Sequence, residues 1–145
     1  MNTIELTILA SEVNARDALN DWVWLLNKPL KPIFLSKFGD WFFFNAQGAV
    51  EMLDMIEGQL RVVAASDSEF NALCKTPEKQ SEWFLDGRLY RMHNDGLELS
   101  SGQCFGFKLA PILGGKFEAE NIGIFSVWLY NSLCSQLHQQ LRNRK

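Results

Sequence analysis

Histidine, cysteine and positive charge are all scarce in this sequence, and each shortage narrows the function. The 145 residues hold two histidines, His93 and His138. Neither is followed at three or four positions by a Cys, Asp, Glu or second His, so no helical metal pair is expected. His93 stands beside "NDG" at a predicted helix end, where a polar side chain caps carbonyls, and His138 flanks an apolar helical stripe. Cys74, Cys104 and Cys134 lie thirty residues apart. That spacing suits neither a disulfide framework nor zinc ligation, and it predicts reduced, mostly buried thiols.

Lys and Arg are outnumbered, and Arg142, Arg144 and Lys145 crowd the last four positions; the rest of the chain carries 17 acidic against 11 basic side chains. Nucleic-acid surfaces need clustered cations to displace counterions, so no nucleic-acid partner is expected. An acidic body either suits a basic partner or simply keeps the protein soluble. The opening stretch "MNTIELTILASEV" lacks a basic segment and meets Glu5 before any useful apolar run. It is expected to be neither a signal peptide nor a membrane span, which predicts a cytoplasmic protein with no membrane association.

Phosphate-cradling motifs are lacking too. "GGKF" has no Ser or Thr after its Lys, and no GxGxxG follows a strand, so no cofactor is predicted. Glu51 and Asp54 have the wrong parity to share a strand face as a catalytic dyad. Cys134 and His138, four residues apart, are within reach of a thiol–imidazole pair, but no third group or oxyanion hole accompanies them. A small Cys/His enzyme is therefore a remote alternative.

What the chain does have is apolar and aromatic bulk, 47% and 12% of residues, enough for one core. Residues 14–27 carry Ala15, Ala18, Leu19, Trp22, Val23 and Leu26 at helical spacing, with Asn14 as N-cap. From Pro32 to Ala65, short β-branched and aromatic runs separated by turn signals predict a β-meander. Its "WFFF" would send Trp41 and Phe43 to one face and Phe42 and Phe44 to the other, a strand buried on both sides. Ser66 and Thr76 are predicted N-caps of two middle helices, with a break near Gly87. A strand near Cys104–Leu109, an irregular glycine-rich turn and "NIGIFSV" lead to a last helix. There Val127, Tyr130, Cys134, Leu137 and Leu141 form the predicted docking stripe, with Asn131, Ser132 and Ser135 on its polar side. The fold class is α+β: a central antiparallel meander flanked by an N-terminal helix, middle helices and a C-terminal amphipathic helix. Trp24 and Trp128 fall off their helical stripes, and displaced aromatics are candidates for an interface.

Five blocks in order, "FGDWFF" (38–43), "SGQCFGF" (101–107), "PILGG" (111–115), "EN" (120–121) and "SQLHQQ" (135–140), carry a resemblance. The chain resembles, from about residue 20 to 141, the family of immunity-protein C-terminal domains associated with bacterial type VI secretion, formerly a domain of unknown function. The resemblance implies a non-enzymatic protein that binds and neutralises a cognate toxin effector, often a nuclease. Family members often carry an upstream domain related to an insertion domain of aminoacyl-tRNA synthetases. Little chain precedes "FGDWFF", so 1–145 is expected to be a single immunity-type domain. The family often has a His where this chain has Trp128. Candidate partner contacts are Asp17, Asp21 and Trp24 on the first helix, Trp128 on the last, and Asp40, which suits a hydrogen-bonded turn equally well. A regulatory or general protein-interaction domain of the same fold, binding a non-toxin partner, is the alternative.

Overall fold

The computed structural model describes residues 5–144. The first four residues of the amino-terminal stretch and the last residue of the basic tail lie outside it. Strands β1 (Thr7–Leu9), β2 (Leu30–Ser36), β3 (Trp41–Asn45), β4 (Val50–Asp54) and β5 (Gln59–Ala64) form one antiparallel sheet in sequential order. The predicted meander is its last four strands. β1 adds an edge that three residues of sequence are too short to announce by alternation.

Within β3 the alternation holds. Trp41 and Phe43 join a core with Leu35, Leu53 and Trp22, while Phe42 faces a second core with Phe70, Trp83 and Phe84. Trp41, Phe42 and Phe43 are all buried, each worth about 1.5–3 kcal/mol relative to exposure. "WFFF" is thus scaffold.

The second core is closed by α2 (Asp67–Cys74) and α3 (Pro77–Phe84). As predicted, Ser66 Oγ accepts from the Glu69 amide and Thr76 Oγ1 from the Lys79 amide. The break before α4 (Asp86–Asn94) falls at Leu85, which takes a left-handed conformation with φ 50°, and Gly87 lies inside α4. Strands β6 (Gln103–Phe107) and β7 (Ile122–Ser126) pair with each other as a separate two-stranded sheet. It is tied to the β2–β3 turn by the Phe105 amide, which donates to the Lys37 carbonyl at 2.8 Å.

The predicted first helix is shorter than its apolar spacing suggests. Asn14 caps α1 (Ala15–Leu19), and Asn20–Trp22 then tightens to a 3₁₀ turn. A 3₁₀ turn advances about 20° more per residue than an α-helix, or roughly 60° over three residues. That shift turns Val23 out to solvent and Trp24 inward, the reverse of the stripe expected from a continuous α-helix.

The last helix, α5 (Val127–Arg142), is also rotated from its predicted docking face. Val127 and Tyr130 are buried as expected, but so are Asn131, Ser132, Ser135 and His138. Buried polar groups must be hydrogen-bonded, and here they are. Asn131 Oδ1 accepts from Trp41 Nε1 at 2.7 Å, its Nδ2 donates to the Gly39 carbonyl at 3.0 Å, and its own carbonyl accepts from Trp22 Nε1 at 2.9 Å. Trp24 Nε1 donates to Ser135 Oγ at 2.8 Å, and the Met55 carbonyl accepts from His138 Nε2 at 2.8 Å. α5 therefore docks through a polar seam, and its leucines are pushed outward.

Candidate partner-binding surface

Outward leucines need a rigid setting to form a surface, and the segment between β6 and β7 provides one. Asn121 clamps it at both ends: its Oδ1 accepts from the Leu109 amide at 2.8 Å, and its Nδ2 donates to the Leu109 and Lys116 carbonyls, both at 2.9 Å. The clamped loop turns Leu109, Ile112 and Leu113 to solvent. Opposite it, Leu129, Leu133 and Leu137 recur every four residues along α5, so they stand one above another on one helix face. Leu133 is 47% exposed.

Between loop and helix lies an apolar groove of about 220 Å³, lined by Leu109, Leu113, Phe125, Leu133 and Leu137. Its floor includes Tyr130, whose ring packs against β6 at Gly106. A Cβ there would come within 2.4 Å of the ring, so only glycine permits the approach. Exposed apolar residues elsewhere include Leu9, Val62 and Val23, the last beside Leu19, Leu26 and Leu30 at a shallow pocket of about 350 Å³.

On the other side of α5 a cleft of about 480 Å³ opens toward α1, lined by Asn14, Asp17, Asn20, Gly102, Ser126 and Trp128. Two residues singled out in the sequence, Asp17 and Trp128, thus meet in one place. Trp128 is 55% exposed. Asp21 points the other way, into the seam, where its carboxylate accepts from the Ser132 hydroxyl. Trp24 is half-buried, stacked on Trp22 at 5.5 Å, with the Arg142 guanidinium 4.9 Å from its ring centroid. Its indole is engaged inside the protein.

Asp40 is buried and holds the turn of the "FGDW" block, leaving no surface for a partner. It accepts from the Met55 amide at 2.7 Å and the Ser36 hydroxyl at 3.0 Å. Burial, with the nearby Asp54 carboxylate second, pushes its pKa up to about 7 against the pull of those two hydrogen bonds and of Arg61.

Cys134 and His138 lie on adjacent turns of α5, yet their chemistry is not that of a nucleophile and its base. Burial pushes the Cys134 thiol up to about 12, so it keeps its proton at neutral pH, where a nucleophilic cysteine needs thiolate. Because a carbonyl only accepts, the His138 bond to Met55 fixes the proton on Nε2. Burial likewise raises Cys74 to about 11 and Cys104 further, and all three thiols are free. Among the described residues no group of three His, Cys, Asp or Glu side chains is placed to hold a metal ion. No described helix is long and apolar enough to cross a membrane.

Residues 64–138, just over half of the chain, match the model of a family described as "T6SS immunity protein Tdi1, C-terminal". The chain belongs to this family. The matched span holds α2 to most of α5, including the clamped loop and the leucine row, and is narrower than the resemblance expected over 20–141. The "FGDWFF" block lies ahead of it. No curated protein matches the chain. A solved structure titled "Crystal structure of Atu4351 from Agrobacterium tumefaciens" superposes with a TM-score of 0.54 at 16% identity, covering 85% of this chain and 64% of that one. At that identity the likeness speaks for the fold alone. This chain spans under two thirds of that protein's length.

Sequence reasoning named Asp17 and Trp128 but passed over the apolar groove. An exposed leucine looks the same in a sequence as a core one. The available signal was the pair of competing stripes on α5, leucines at 129, 133 and 137 against polar residues at 131, 135 and 138.

Proposed function

We propose that this chain is a cytoplasmic, non-catalytic immunity protein that neutralises a toxin effector of the type VI secretion system by stoichiometric binding. Family membership carries this reading. It is supported by the leucine face of α5 and the clamped loop, an apolar surface of the kind found at the centre of protein interfaces. The surplus of acidic side chains suits a toxin with a basic surface, such as a nuclease, because complementary charge speeds encounter and favours the right partner.

The test is co-expression with the product of the neighbouring gene. Capture of that protein on the tagged chain, together with rescue of growth, is the expected outcome. Leu133→Asp places a charge in the middle of the leucine row and should weaken capture by roughly tenfold or more, while the melting temperature stays within a few degrees. A soluble, folded chain that neither captures nor rescues would refute the immunity reading. Full rescue and capture by Leu133→Asp would instead move the contact away from the leucine row.

A further inference from the structure

We infer that the cleft between α1 and the start of α5 holds a basic side chain of the partner, a guanidinium or ammonium group set between the Trp128 ring and the Asp17 carboxylate. This rests on the toxin-neutralising reading and names the chemistry of one contact within it. The chain itself shows how it treats its tryptophans. Trp22, Trp24 and Trp41 spend their indole N–H groups on α5. Trp24 carries the Arg142 guanidinium over its ring, and Trp83 has the Lys79 ammonium 5.2 Å from its centroid. Trp128 alone is more than half exposed with neither a hydrogen bond from its N–H nor a cation over its ring among the described residues.

The same cleft is lined by a carboxylate of the same character. Asp17 is exposed, makes no ion pair among the described residues, and is the one charged residue lining the cleft. Asn14, Asn20 and Ser126 supply the remaining polar groups. An aromatic face attracts a cation through its quadrupole, and a carboxylate at the rim adds direct attraction. A cleft with one negative charge, no positive one and an open indole selects for positive charge. On the toxin-neutralising reading the cation belongs to the partner protein; Trp128 stands about 100° around α5 from Leu129, so this contact lies to the side of the leucine row.

Two measurements on the full chain test this. In the first, a capped hexa-arginine peptide is titrated into ¹⁵N-labelled protein, with capped hexa-glutamate as the opposite-charge control. The expected result is saturable movement of the Trp128 indole and Asn20 amide resonances with the arginine peptide alone, weakened roughly tenfold or more in Trp128→Ala and in Asp17→Asn. No movement, or equal binding by both variants, overturns the inference whether or not a toxin has been found.

The second measurement is affinity for the captured toxin. Trp128→Ala should lose roughly tenfold or more and Trp128→Phe less, while Asp17→Asn should reduce the salt dependence of association. Both residues are exposed, so the variants should fold as the parent does, and melting curves check it. Unchanged affinity in a complex that still forms overturns the inference and leaves the immunity reading standing. Failure to capture any toxin removes that reading, and the peptide titration then decides the cleft alone.

Discussion

Replacing Asn131 by alanine should cost this protein more than any change on the outer face of α5, because one side chain closes three parts of the fold. It is fully buried, and its amide holds both the Trp41 indole N–H and the Gly39 carbonyl. Removing it strands a buried donor and a buried acceptor, at about 1–3 kcal/mol each. The void left behind adds a smaller cost, giving roughly 3–7 kcal/mol in total. For a chain of this size that corresponds to a fall in melting temperature on the order of 10 °C. Urea denaturation followed by tryptophan fluorescence measures the loss directly.

Asn131→Leu separates the two causes. Leucine refills most of the volume but satisfies neither polar partner, so hydrogen-bond loss predicts a penalty close to that of alanine. Recovery by leucine to within about 1 kcal/mol of the parent would refute the reasoning, because it would mean that volume, not polar satisfaction, holds α5 in place.

Asp40 makes stability depend on pH in an unusual direction. Its pKa rises from 3.8 to about 7 on folding, so the native state holds that proton more tightly than the unfolded chain. The stability this contributes is fully present below pH 3.8 and is lost as pH rises through about 7, amounting to about 1.4 kcal/mol between pH 6 and 8. Unfolding curves across that range should show the slope in the parent and not in Asp40→Asn; equal slopes in both would remove the assignment. Gly58→Ala should destabilise far more than Gly48→Ala, although both glycines have positive φ. A Cβ at 58 would come within 2.3 Å of the His138 ring, whereas one at 48 meets nothing within 4 Å. The expected costs are roughly 2–5 and 1–2 kcal/mol, measured by denaturation, and equal costs would show that the ring moves aside freely.

What the sequence made legible follows the range of the interactions involved. The caps at Ser66 and Thr76 bond amides three residues away, and the two-sided burial of "WFFF" follows from the pleat of a single strand. Each is decided within a few residues. The rotation of α5 is not, because Asn131 is a surface residue by composition and becomes a core one only through Trp41 and Gly39, about ninety positions earlier. Trp24 was misphased for a nearer reason, the 3₁₀ turn just ahead of it, which leaves little trace in residue type. In the candidate surface, the displaced tryptophan at 128 was visible because it broke a stripe, whereas Leu133 lay on neither the predicted docking stripe nor the polar side and a leucine off the stripe attracts no notice.

The blocks that carry the family resemblance all turn out to be joints. "FGDW" meets α5 at Asn131, "CFGF" receives the Tyr130 ring at Gly106, Asn121 of "EN" clamps the loop that contains "PILGG", and "SQLHQQ" supplies Ser135 and His138 to the seam. The side chains facing outward from those joints, those of Leu109, Ile112, Leu113, Leu129 and Leu133, take no part in these bonds; Leu109 enters the clamp through its backbone alone. A scaffold whose orientation is set by buried hydrogen bonds can change its exposed side chains without losing its shape. Telling one partner from another requires that freedom, since specificity is a difference between affinities and is tuned by contacts the fold does not need. Had α5 docked through its leucines, every change of partner would also have been a change of core.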